Sequence, residues 1–113
     1  MAAGELRERI AFDEREQMTD DVGNSVGSWV ERFVTAARVR PLKGGETVMA
    51  DRLQGRQPVV ITIRYFQEAA TVTPAWRARD VRTGRIYNIT AAANMDEHRR
   101  YLDLLATAGE ADG

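Results

Sequence analysis

Val59-Val60-Ile61-Thr62-Ile63-Arg64-Tyr65-Phe66 is the strongest β segment in the chain, β-branched almost throughout. Upstream of it, residues 28–40 read as a long strand. Trp29, Phe33, Ala37 and Val39 share one side, and Arg32, Arg38 and Arg40 share the other with Val30 and Val34. Pro41 closes that strand, because proline cannot donate to a ladder. Residues 9–17 alternate in the same way, with Ile10 and Phe12 opposite Arg9, Asp13 and Arg15. The intervening residues 19–28 are rich in Asp, Gly, Asn and Ser and read as a loop. Downstream, residues 67–75 form a linker around Thr73-Pro74. Residues 76–81 and 85–91 flank the hairpin turn Arg82-Thr83-Gly84, and residues 100–105 give a last strand. Six short strands joined by turn chemistry predict an all-β fold, a small six- to seven-stranded β-barrel or sandwich, and a barrel removes exposed edges. Its core candidates are Ile10, Phe12, Trp29, Phe33, Val39, Ile61, Ile63, Tyr87, Ile89, Leu102 and Leu104.

Residues 43–57 break the pattern. Lys43-Gly44-Gly45 is flexible, residues 46–53 can make two helical turns, and Gly55 would end them. Val48, Met49 and Leu53 are the only large apolar residues there, too few for a core segment. The stretch reads as a long loop leaving the barrel, and loops of that length are usually functional or disordered.

The chain has 113 residues, 43% of them hydrophobic and 7% aromatic, which suits one domain over 1–113 with one modest core. The arm 1–8 and the small, acidic tail 106–113 hold few core residues and are expected to be flexible in isolation. Without cysteine there is no disulfide framework, thiol nucleophile or cysteine-based metal site, and His98 is the single imidazole. No apolar run approaches the roughly 20 residues of a membrane helix. The opening Met1-Ala2-Ala3-Gly4-Glu5-Leu6-Arg7 turns charged at once, unlike a secretory signal, so a soluble intracellular domain is expected. Sixteen basic and seventeen acidic residues nearly cancel, which argues against a dedicated duplex-DNA binder with a strong basic field. All the basic residues but Lys43 are arginine. A GC-rich genome accounts for that, and so does an interface role, since the guanidinium fork pairs with carboxylates and sheds water easily.

Catalytic templates find little to match. Gly44-Gly45 lacks the lysine–serine pair of a phosphate loop, and His98 has no serine in a nucleophile elbow to serve. Asp20-Asp21 and Asp96-Glu97 are adjacent carboxylates of the kind usually solvated in polar turns. Trp29, Phe33, Trp76 and Tyr87 stand at strand spacing, where aromatics either fill a core or stack nucleobases. The chain is expected to be no enzyme and to need no cofactor and no metal.

Read end to end, residues 4–105 resemble the head–tail joining (head closure, or stopper) proteins of tailed bacteriophages and gene transfer agents. The resemblance starts at Gly4-Glu5-Leu6-Arg7-Glu8-Arg9-Ile10 and continues through Asp20-Asp21-Val22-Gly23-Asn24 to Trp29. Val39-Arg40-Pro41-Leu42 with Gly45-Glu46 and Ala50 resembles that family's strand end and glutamate-containing excursion. Ile61-Thr62-Ile63-Arg64-Tyr65, then Gly84-Arg85-Ile86-Tyr87-Asn88-Ile89, then Asp96 with Arg99-Arg100 and Leu102 complete it. Where the family often has a second aromatic near position 36, this chain has Ala36-Ala37.

The resemblance implies a virion neck protein, made in the bacterial cytoplasm. Twelve copies would ring the DNA channel below the portal and adaptor, join head to tail and help retain packaged double-stranded DNA. Partners would be further copies of itself, the portal or adaptor ring above and a tail or tail-terminator protein below, with no membrane. The matching excursion, 43–57, would face the channel through Lys43, Gly44, Gly45, Glu46, Asp51, Arg52, Gly55 and Arg56. Two other readings of the residues stay open: a single-stranded nucleic-acid-binding barrel using Trp29, Trp76 and Tyr87, and another neck component such as an adaptor or tail-completion protein. A chain this small has limited surface for neighbours beside, above and below, so it is expected to be a monomer or weak oligomer in free solution, assembling on its template.

Overall fold

A computed structural model describes residues 6–19, 21–23, 25–42, 45–95 and 100–108. Six strands form in chain order: β1 (Glu8–Thr19), β2 (Ser25–Pro41), β3 (Gln57–Arg64), β4 (Trp76–Asp80), β5 (Ile86–Met95) and β6 (Tyr101–Ala108). The helix α1 (Glu46–Leu53) lies between β2 and β3, and a 3₁₀ turn (Glu68–Thr71) between β3 and β4. All pairings are antiparallel, and the order β1-β2-β3-β6-β5-β4 closes back on β1. The fold is a closed all-β barrel, as the strand pattern predicts.

The alternation of apolar side chains fills it. Leu102, Leu104, Ala106 and Ala108 of β6 point inward, between the outward Asp103 and Leu105. Ile10 and Phe12 from β1, Ile61 and Ile63 from β3, and Tyr87 and Ile89 from β5 meet them, each between 0 and 6% exposed. Side chains of this size contribute about 1.5–3 kcal/mol each on full burial. β3 is buried on both faces: Thr62 donates its hydroxyl to Asp103 (2.6 Å) on the outside, and α1 packs against this strand.

The connection from β3 to β4 crosses one end of the barrel. Its Ala69 and Val72 are buried, and Phe66 meets Phe33 edge-on at 4.9 Å. Phe33 in turn stacks on Phe12 at 4.9 Å and tilts against Trp76 at 6.2 Å, so four aromatic rings stop that end.

Three expectations need correction. The loop expected over residues 19–28 is shorter: Thr19 belongs to β1 and residues 25–28 to β2, and the two strands stay paired out to Thr19↔Ser25, because a long cross-strand ladder outweighs the turn propensity of those residues. Trp29 does not share a face with Phe33. The register steps from Phe12↔Phe33 to Asp13↔Glu31, leaving Arg32 as one extra residue in β2, and a bulge of one residue reverses every side chain beyond it. Trp29 therefore sits half-buried on the outer wall, while Phe33 and Val39 pack against the core. The last strand also runs three residues past its expected end at Leu105, burying Ala106 and Ala108.

Candidate functional site

The excursion between β2 and β3 is tied at its base. Leu42 N–H donates to the Pro58 carbonyl (3.0 Å), continuing the ladder past Pro41. Arg52, in the last turn of α1, donates to the Leu42 carbonyl (3.1 Å) and to Gln57 Oε1 (3.2 Å), while Gln57 Nε2 donates to the Pro58 carbonyl (2.7 Å). Gly55 ends the helix at a φ of 80°, a left-handed conformation that only glycine adopts without strain. Beyond this tie the helix offers Met49 and Leu53, one turn apart, 54% and 86% exposed. Of the eight channel-facing candidates, Lys43 and Gly44 lie outside the described residues. Glu46 and Asp51 belong to α1, and Arg52 holds the base. Arg56 follows Gly55 and hydrogen-bonds Gln54. The Arg52–Gln57 clamp that ties this base is polar and so leaves no mark in an apolar pattern. Arg52→Ala is expected to cost no more than about 1 kcal/mol of stability, as exposed hydrogen bonds do. It should still speed proteolytic cleavage within residues 43–57 several-fold. Cleavage at the wild-type rate would show that other contacts hold the excursion.

A second feature lies on the outer wall of β1, β2 and β4. Asp13, 2% exposed, accepts from Arg77 Nε (2.9 Å) and Arg79 Nε (3.2 Å), and Arg79 also reaches Glu31 (2.8 Å). The Asp13 hydrogen bond, with Glu31 adding to it against desolvation, pushes the Arg79 pKa up and keeps this cation charged. Arg77 and Arg15 both lie over the Trp29 indole, 4.6 and 5.5 Å from the ring centre. Sequence reasoning misses this cluster. Its one visible signal is the Arg77-Ala78-Arg79 alternation, which sends two cations outward beside a strand whose outward residue is Asp13.

The end of the barrel opposite the aromatic stop opens into a cavity of about 240 Å³, rimmed by Glu8, Gln57, Asp80 and Arg85 over Val59 and Tyr87. Burial pushes the Tyr87 phenol up; Arg85 opposes that shift and Asp80 and Glu8 add to it. Trp76 and Tyr87 are each 6% exposed, so the three aromatics weighed as a stacking platform do not meet on one surface. Asp20, and Asp96 through Arg99 with His98 among them, lie outside the described residues. Among the described residues no three His, Cys, Asp or Glu side chains converge as a metal site, and no helix is long and apolar enough to cross a membrane.

The barrel is shared with solved structures. The solution structure of a protein from Shigella flexneri 2a is 25% identical, with a TM-score of 0.74 over 99% of this chain and 100% of that one. A chain from the virion of a native gene transfer agent particle is 21% identical, with a TM-score of 0.64 over 94% of this chain and 96% of that one. At that identity the second likeness is one of fold. No curated protein matches the chain. The model of the phage head completion proteins matches residues 1–109, a span that holds all six of these strands, and the chain belongs to that family.

Proposed function

We propose that copies of this chain form a ring of twelve in the virion neck, below the portal and adaptor. The ring joins head to tail, continues the DNA channel and helps retain packaged DNA. Family membership over residues 1–109 carries this reading. The fold shared along nearly its whole length with a chain of a gene transfer agent virion supports it. Each copy acts as one connector domain, without catalysis, between the portal or adaptor ring and a tail or tail-terminator protein. The excursion 43–57 faces the channel. Lys43, Arg52 and Arg56 present positive charge to the DNA phosphates, Arg52 from a fixed place at the loop base, and Glu46 and Asp51 pair with neighbouring copies. A weak local field repeated around a ring adds up, which is how a chain with a net charge of -1 can meet DNA.

Quantitative mass spectrometry of purified particles tests the reading, with this chain counted against the portal protein. About one copy per portal subunit is the expected result. A trace amount, or none, overturns it.

A further inference from the structure

Past the barrel wall, β1 and β2 continue as a ribbon with no third strand among the described residues. β4 covers β1 only from Ile10 to Glu14, and β3 covers β2 only from Ala37 to Pro41, while β1 and β2 remain paired to Thr19↔Ser25. Two strands without a third are marginal in water. The bulge at Arg32 and the pleat sort the side chains at the root of this ribbon onto two faces of opposite sign. The outer face holds Arg15 and Trp29 with Arg77, Arg79, Glu31 and Asp13, three cations against two carboxylates. The inner face holds Glu14 and Glu16 around Arg32, two carboxylates against one cation. Their side chains are 39%, 44% and 34% exposed, and Arg32 Nε lies 3.0 Å from Glu14.

We propose that these faces are where neighbouring copies of this chain meet, the arginine–tryptophan face of one ribbon lying against the acidic face of the next. The inference rests on the ring reading above and names the surface that orders the ring. A contact between two different patches is head-to-tail; it propagates from copy to copy and closes when the rotation per copy divides a full turn. Tryptophan and arginine are the residues concentrated where interfaces draw their energy. Arg15 reaches its place because position 27 has no side chain: a Cβ on Gly27 would stand 2.6 Å from Arg15 Nε.

The size of the ribbon says how this contact works. Five residue pairs at ~3.3 Å rise and two strands ~4.8 Å wide each offer roughly 160 Å² per face. A stable standard interface takes about 800 Å² per partner. A contact this small aligns copies already held side by side on a template and does not hold a ring in free solution.

Incorporation into particles, counted against the portal protein, reads the contact, with thermal melting of each purified variant as the fold control. R15E reverses the outer face. E14R/E16R/R32E reverses the inner face and keeps its internal ion pairs with their polarity exchanged. Each set alone brings like charges together and is expected to lower incorporation at least tenfold. The combined variant, and co-expression of the two parents, which can then alternate around the ring, are expected to recover to within about twofold of wild type. G27A changes no charge, displaces Arg15 from Trp29, and is expected to lower incorporation as well. Parents that melt like wild type and incorporate fully overturn the inference, and so does a combined variant no better than its parents. Should the parents fail to fold, wild-type incorporation of G27A overturns it. Absence of the wild-type chain from particles overturns the ring reading, and this inference with it. Wild-type incorporation at about one copy per portal subunit without rescue overturns this inference alone.

Discussion

Phe12→Ala should lower the free energy of unfolding by about 3–5 kcal/mol, the range for removing a fully buried aromatic ring. Phe12 is 0% exposed and, among the described residues, the bulkiest of the fully buried side chains. It also supports the aromatic stop, since Phe33 stacks on it and carries Phe66 and Trp76 in turn. A cavity there removes the floor on which three other rings rest. Phe12→Leu, which keeps most of the volume, is expected to cost under about 2 kcal/mol. Urea unfolding checks both, with the midpoint falling at an unchanged slope. A loss below about 1 kcal/mol for the alanine variant would mean that the linker across this end repacks into the space.

Asp13→Ala should cost about 3 kcal/mol, the lower part of the range for breaking a buried ion pair. The carboxylate is 2% exposed, but the stranded partners are less confined: the Arg77 and Arg79 side chains are 19% and 30% exposed and can turn toward water. Arg79 keeps Glu31. The mirror experiment, Arg77→Ala with Arg79→Ala, leaves the buried carboxylate with neither cation and should cost at least as much. Replacing both signs with apolar side chains, Asp13→Leu with Arg77→Met, is expected to recover most of the loss, because no charge is left uncompensated. Chemical denaturation of the three variants measures this. A mirror variant milder than Asp13→Ala would show that water already reaches the carboxylate.

The barrel was legible because its signal is local. Val59 to Ile63 and Leu102 to Leu104 carry their burial in their own composition and period, and Pro41 ends β2 by chemistry that needs no partner. The excursion was legible for the same reason, as a gap in apolar patterning, and its two helical turns formed between the glycines that bound them. What stayed hidden depends on pairing. No residue type announces that Arg32 is the extra one, yet that residue decides that Trp29 faces out while Phe33 faces in. Asp13 has the outward parity that its spacing from Ile10 and Phe12 predicts; what the spacing does not show is its pairing with two arginines more than sixty residues away. The Arg52–Gln57 clamp likewise joins side chains whose sequence gives no reason to couple them. The length of the β1–β2 ribbon was missed because turn-forming residues were read one at a time, while the ladder that overrides them is a property of two strands together.

The seat of β6 between β3 and β5 has a consequence for how the molecule is made. Of the six described strands β6 is the last to leave the ribosome, and until it arrives the edges of β3 and β5 lack the strand that pairs them. At about 5–20 residues per second, a nascent chain waits on the order of seconds between finishing β3 and receiving the strand that shuts it. During that wait Ile61 and Ile63 lie on an open sheet, the condition in which β-proteins aggregate. A translation product truncated before Tyr101 is therefore an open-edged fragment rather than a smaller version of the barrel, with β3 and β5 left to pair with other chains.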